Sequence, residues 1–301
     1  MTAGDGREGE GAATPTFDVV IPAYNAASTV GRAVRSALGL FGLRQIIVVD
    51  DGSAEPLTED DLGGPHGRVR LLRQTNGGVS SARNAALDQV SGGDAAWCVF
   101  LDADDELTEE LPAALAEAGG ATAVVMVGGR DEVLKTGPVK PRPAPEEWAG
   151  RTLPSPAEVF RPIHLFSTTG AAIRRELVAD GLRFDPELAI GEDRDLLRRA
   201  AASGPTFVSS RRVVLYHRDE ASEHLSGPKH ADRRVRDFVR IVGKHLDVDA
   251  ARYFEPQAAR LAKFHARHGR DADAWRALTD LCRAQGWSIP LKAKLLRLFK
   301  S

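Results

Sequence analysis

Phe100-Leu101-Asp102-Ala103-Asp104-Asp105 is an apolar run that closes on three carboxylates within four residues. Acids so crowded resist ionisation unless a cation neutralises the group. Oxygen ligands of this kind suit Mg²⁺ or Mn²⁺, which take one or two carboxylates and fill their remaining positions with waters and substrate phosphates. A plain turn and helix cap is the competing reading, because Leu107 and Thr108 lead into a helical stretch, and Asp105 or Glu106 suits that part.

Similar chemistry recurs elsewhere. Asp50-Asp51-Gly52-Ser53 ends a second β-branched run, where a carboxylate can accept from a nucleobase N–H or a ribose hydroxyl; an ordinary Asp-Gly turn is the alternative. Asn76-Gly77-Gly78 feeds a helix carrying Arg83 and Asn84, offering N–H groups and a guanidinium to an anion, or simply capping that helix. Gly191-Glu192-Asp193 opens another helix, where acids either act on a substrate or only complement the helix dipole. His217 closes the run Val213-Val214-Leu215-Tyr216, as a metal or diphosphate contact or as a structural histidine.

These groups need elements to hold them. Apolar runs at residues 17–22, 45–49, 69–72, 95–101 and 122–127 read as strands, and helical spacing covers about residues 27–41, 79–90 and 109–117. Near-continuous apolar strands separated by helices predict an α/β fold, a mostly parallel sheet with helices on both faces. Ligands bind such sheets beyond the carboxyl ends of the strands. Pro22-Ala23-Tyr24-Asn25, Asp50-Asp51 and Asp102–Asp105 all fall at strand ends, which puts them at one edge. Seven of the 17 prolines lie within residues 138–162, predicting a surface loop without regular structure. A helix from Gly191 to about Ala202 and a strand over 212–217 follow, then helices near 231–245, 250–268 and 272–284.

Composition excludes several classes. Forty basic against 42 acidic residues leave a formal charge of -2, so no basic surplus points to nucleic acid. Cys98 and Cys282 stand far apart in no zinc spacing, and read as inert thiols. Residues 1–15 read as a flexible polar tail and not a signal peptide. No run approaches the roughly 18 to 20 apolar residues that span a bilayer, so a cytoplasmic location is expected. Gly4-Asp5-Gly6-Arg7-Glu8-Gly9 fits GxGxxG, but it precedes the first strand and lacks the context of a dinucleotide site.

In order and spacing, Val19–Asn25, Val48–Ser53, Asn76-Gly77-Gly78 through Ala82-Arg83-Asn84, and Phe100–Asp105 resemble the family-2 glycosyltransferases of the GT-A fold, across about residues 17–217. The resemblance implies a GT-A domain over 16–220, split into a nucleotide half (16–105) and an acceptor half (106–220), with a C-terminal helical region over 221–301. It implies an inverting transfer of sugar from a nucleotide diphosphate, UDP first, to a carbohydrate, lipid-linked or other hydroxyl acceptor. Pro22, Tyr24 and Asp51 would line the nucleoside pocket with Arg83 nearby, and Asn25, Asp50 and Ala103 complete the donor set. Asp102 and Asp104 look like the family's DXD pair, the first near the ribose and the second on Mn²⁺ or Mg²⁺, with His217 as a further metal contact. Asp193 takes the place of the general base, with Glu192 as the alternative.

Two other functions compete. A magnesium-dependent phosphohydrolase also carries paired aspartates at a strand end, but its motif expects Thr or Val where Glu106 stands. A nucleotide-sugar-binding module without turnover is disfavoured by the retained acids. Residues 288–301 carry four basic residues and no acid, with Leu291, Leu295, Leu298 and Phe299 at helical spacing. Such a helix rests on an anionic membrane, giving a peripheral position at its inner face, or docks its leucines on the domain with its lysines in water.

Overall fold

The computed structural model describes residues 15–90, 92–134, 139–161, 164–218 and 227–298. Most of the tail, the Gly4–Gly9 pattern, His224, Phe299 and Lys300 lie outside the described residues.

The chain runs first through β1 (Phe17–Ala23), α1 (Val30–Leu38), β2 (Leu43–Asp50), β3 (Val69–Arg73), α2 (Val79–Val90) and β4 (Trp97–Phe100). Next come β5 (Glu106–Leu107), α3 (Leu111–Gly120), β6 (Val125–Leu134), β7 (Lys140–Arg142) and β8 (Arg151–Thr152). β9 (Ala172–Arg174), α4 (Arg175–Ala179), α5 (Glu192–Ala201) and β10 (Thr206–Arg218) complete the sheet domain. Helices α6 (Ala231–His245), α7 (Val248–His268), α8 (Ala272–Ala284) and α9 (Leu291–Leu298) follow.

All the strands join one sheet, whose main order is β3-β2-β1-β4-β9-β6-β10-β5. β3, β2, β1 and β4 are parallel, as are β6 and β10, while β9 runs antiparallel between β4 and β6. Every residue of β1 is buried because both faces are covered. Val19 and Ile21 pack with Val34 of α1 and Leu115 of α3, whereas Val20 packs on the other face with Ala86 of α2 and Leu196 of α5. Parallel pairing carries Ala23 opposite Asp50 and Val20 opposite Phe100, so the residues after these strands emerge side by side.

Two expectations need correction. β6 begins at Val125 and runs on past residue 127 to Leu134, because Gly128-Gly129 interrupts the apolar pattern without interrupting the strand, and β10 begins at Thr206, before the expected 212–217. A Cβ at Gly128 would meet Val213 Cγ2 at 2.9 Å, so the absent side chain lets β10 approach. The proline-rich segment is likewise not all surface loop. Pro141 sits in β7, which pairs only with β6 and so loses no ladder bond to a second neighbour. Pro156 opens a 3-10 turn, Pro156–Phe160, capped by Ser155 Oγ accepting from Ala157 N at 3.2 Å. That turn buries Ala157 and Phe160 against α6 and α7, forming a third core that docks the C-terminal helices on the sheet domain.

Phe160 meets the Phe254 ring at 4.6 Å and the His245 ring at 5.5 Å. Phe160→Ala is expected to cost about 3–5 kcal/mol in urea unfolding. A loss below about 1 kcal/mol would mean that these helices are not anchored through this side chain.

Candidate active site

The ends of β1, β2 and β4 meet as the register requires: Asp51 N donates to Ala23 O at 2.8 Å, and Leu101 N donates to Val20 O at 3.0 Å. Beyond them opens a cleft of about 740 Å³. Pro22, Tyr24, Asn25, Asp102, Ala103, Asp104 and His217 line it together. Asp50, Asp51 and Arg83 do not; they are buried alongside.

The two acids ending β2 are fully employed within the protein. Burial alone would raise the Asp50 pKa, but N–H donations from Ser53 and Leu57 and the Arg73 guanidinium outweigh it and hold the carboxyl below its ordinary value. Asp51 Oδ1 accepts from Gly77 N and Oδ2 from Gly78 N, at 2.9 and 2.8 Å, which clamps the glycine turn before α2. Gly52 permits this: it has φ +74°, and a Cβ there would stand 2.6 Å from Asn76 N. Asn25, at φ 51°, is fixed to the same loop by Ser53 Oγ, which accepts from its N–H, and by its own Oδ1, which accepts from Ala54 N.

Arg83 lies at the centre. Its guanidinium is buried, donating from Nη2 to Asp102 Oδ1 at 2.8 Å and from Nη1 to Glu192 Oε1 at 3.1 Å. Burial works against its charge, yet the two carboxylates win and its pKa is raised. Phe184 lies 5.2 Å beneath it, held by a two-way clasp in which Asn84 Nδ2 donates to Phe184 O and Phe184 N donates to Asn84 Oδ1. Glu192, half-buried beside Asp193, is pushed up to about 7 by burial and that neighbour despite Arg83. Asp193 is raised by burial too, although Arg194 and Arg83 pull it down. It lines a second cavity, of about 590 Å³, between the start of α5 and helices α6 and α7.

The acids after β4 divide by environment. Asp105 is fully buried, with Oδ1 accepting from His217 N at 2.9 Å and Oδ2 lacking a partner; burial and its acidic neighbours push it up to about 8. Glu106 faces His217 Nε2 at 2.7 Å. Asp104 opens to the cleft, yet enclosing protein and Asp102 raise its pKa. Among the described residues no three His, Cys, Asp or Glu side chains converge as a metal cage. A cation shared with a diphosphate needs fewer protein ligands. The donor set fits that arrangement: Asp104 and Asp102 press on each other at the cleft, and a cation would relieve them.

Arg32 was not singled out by the sequence. Its Nη2 donates to Asp104 O at 2.6 Å, and it joins the cleft wall. Its spacing on α1 looks like that of the solvent-facing Arg35, so no local signal separates the two. A further concavity, of about 1280 Å³, lies among α8, α9 and their connections, and shares no residue with the acidic cleft.

Replacing Arg83 by Met would leave Asp102 and Glu192 facing each other without a counter-charge, at an expected cost of about 3–5 kcal/mol. Glu192, already pushed up by burial, would lose the guanidinium that lowers it and rise further, so the loss should be smaller at pH 5 and grow as pH rises through neutrality. Urea unfolding at pH 5 and pH 8 reads this out; equal losses would contradict the ion-pair account.

A family model described as glycosyl transferase family 2 matches residues 18–182. The succinoglycan biosynthesis protein ExoO of Rhizobium meliloti (strain 1021) is 35% identical over 69% of this chain and 62% of its own length. ExoU of the same strain is 26% identical over 92% of this chain and 82% of itself. The chain thus spans just under two thirds of the first of these relatives. Among solved structures, S. aureus TarS residues 1–349 with UDP-GlcNAc superposes with a TM-score of 0.63 at 22% identity, covering 93% of this chain and 83% of that one. Likeness at that identity shows the GT-A fold. With more than half its length matched by the family model, the chain belongs to glycosyl transferase family 2.

Proposed function

We propose that the protein is an inverting glycosyltransferase that moves a sugar from a nucleotide diphosphate, UDP first, to a hydroxyl acceptor in glycan, polymer or glycoconjugate synthesis. The observation that carries this is Arg83, one buried cation joined both to Asp102 at the donor cleft and to Glu192 beside the candidate base. On this reading residues 16–105 bind the nucleotide, 106–220 the acceptor, and 221–301 form the helical region. Pro22, Tyr24 and Asn25 border the nucleoside, while Asp50 and Asp51 shape its pocket by fixing the adjoining loops. Asp102 and Ala103 complete the donor wall.

A Mn²⁺ or Mg²⁺ ion held by Asp104, with His217 beside it, would neutralise charge growing on the departing diphosphate. Asp193 accepts the proton of the acceptor hydroxyl as that oxygen attacks the anomeric carbon opposite the leaving group. Its pKa is raised by burial, which makes it a stronger base than an ordinary carboxylate, and its Oδ1 accepts from Arg194 N at 2.7 Å. Glu192 is the alternative base, but its Oε1 is already occupied by Arg83. Asp104→Asn is expected to abolish metal-dependent donor binding. Asp193→Asn should spare donor binding and lower transfer by about 10²–10⁴-fold. Near-normal transfer by Asp193→Asn would move the base to Glu192 or remove the assignment.

We assign a cytoplasmic location with peripheral membrane contact through residues 288–301. Among the described residues no helix is long and apolar enough to cross a membrane. In α9 the leucines do not all dock: Ala293 is buried and Leu296 packs on the third core, while Leu291 and Leu295 are 70% and 46% exposed beside Lys292 and Lys294. Deleting residues 288–301 should abolish binding to anionic vesicles; unchanged binding would refute the contact.

A further inference from the structure

A second group of charged side chains lies away from the acidic cleft, around the concavity of about 1280 Å³ among α8, α9 and their connections. Arg270, Arg276, Arg283, Lys294 and Arg297 line it, with no acid among the described residues of its wall, and Trp275 and Trp287 supply its aromatic surface. Three of these cations are already engaged. Arg276 and Arg283 pair with Asp273 and Asp280 of their own helix, exposed pairs that hold weakly in water, and Arg297 Nη1 donates to Gly269 O at 3.2 Å. Among the described residues no hydrogen bond or ion pair holds the side chains of Arg270 and Lys294. The Arg270 backbone, by contrast, is fixed: Asp232 Oδ1 accepts from Arg270 N at 3.0 Å and from Asp271 N at 3.1 Å, which sets this residue in the turn between α7 and α8.

Helix α9 joins the pocket to an apolar stripe. At about 3.6 residues per turn, Ala293 and Leu296 fall on the side that packs on the third core, and Leu291 and Leu295 fall on the opposite, exposed side. Lys294 and Arg297 lie between the two, so the exposed leucines and the basic pocket adjoin along one edge of the helix. Cations able to pair with phosphate, tryptophans beside them and leucines in water are what binding at a lipid–water boundary uses.

We infer that this pocket receives the phosphate headgroup of an anionic phospholipid, with Leu291 and Leu295 entering the acyl region beside it. Diffuse attraction of a basic helix to a charged surface would use the cations of α9 alone; the pocket adds Arg270, which lies outside residues 288–301. The inference rests on the peripheral membrane contact proposed above and narrows it to one built site.

The full chain is sedimented with vesicles of phosphatidylcholine alone or of equimolar phosphatidylcholine and phosphatidylglycerol, and compared with Arg270→Gln, Lys294→Gln and Lys263→Gln. Lys263 is a cation of α7 outside the pocket, so its loss removes the same charge elsewhere. All three side chains are exposed, and the variants should melt with the parent. Arg270→Gln and Lys294→Gln should each weaken binding to the anionic vesicles about fivefold, and Lys263→Gln by less than about twofold. Parent binding that Arg270→Gln leaves unchanged, or that Lys263→Gln weakens as much, overturns the pocket and leaves the membrane contact standing. No binding by the parent overturns both, and Arg270-dependent retention on heparin in that case gives the pocket to a soluble polyanionic glycan.

Discussion

A guanidinium taken out of water is tolerable only when well-placed carboxylates replace its hydration, and Arg83 is held under that condition. Its two partners come from distant parts of the chain: Asp102 follows β4, and Glu192 begins α5, 109 residues from Arg83 in sequence. The asparagine clasp on Phe184, the glycine turn clamped by Asp51 and the parallel register of β1, β2 and β4 all fix where that guanidinium can sit. Because one cation serves both acids, a change of charge at Asp102 is felt at Glu192.

The same residue type plays different parts according to what surrounds it. Asp50 has internal donors and stays readily ionised; Asp195, also buried, is held low by His245, Arg199 and Lys244 despite its burial, and ties α5 to α6. Asp104, Asp193 and Glu192 are instead raised, and each lies at a cavity or against Arg83. Carboxylates satisfied by the protein hold the fold, and the less satisfied ones are those the proposed function places against substrate or cation.

The strands that carry the site were legible because they are buried on both faces, which leaves near-continuous apolar runs at β1, β2 and β4. Their chemistry-bearing ends were legible for the same reason, since an acid after such a run has to lie at the sheet edge. β6 was read too short because Gly128-Gly129 and the charged residues after it break its apolar pattern, and β10 because Ser209-Ser210-Arg211-Arg212 separates its two apolar stretches. Arg32 and the cavity around Asp193 were not legible. The first depends on α1 crossing the end of β4, and the second on α6 and α7 folding back over α5, contacts between segments that no local spacing encodes.

The account stands on the corner where Asp102 and Asp104 press together beside the cleft, a place suited to a divalent cation shared with a diphosphate. Crystals grown with Mn²⁺ and UDP, measured at the manganese absorption edge, test it directly. An anomalous peak coordinated by the Asp104 carboxylate and the diphosphate is the predicted result. Bound UDP with no metal at that corner would contradict it.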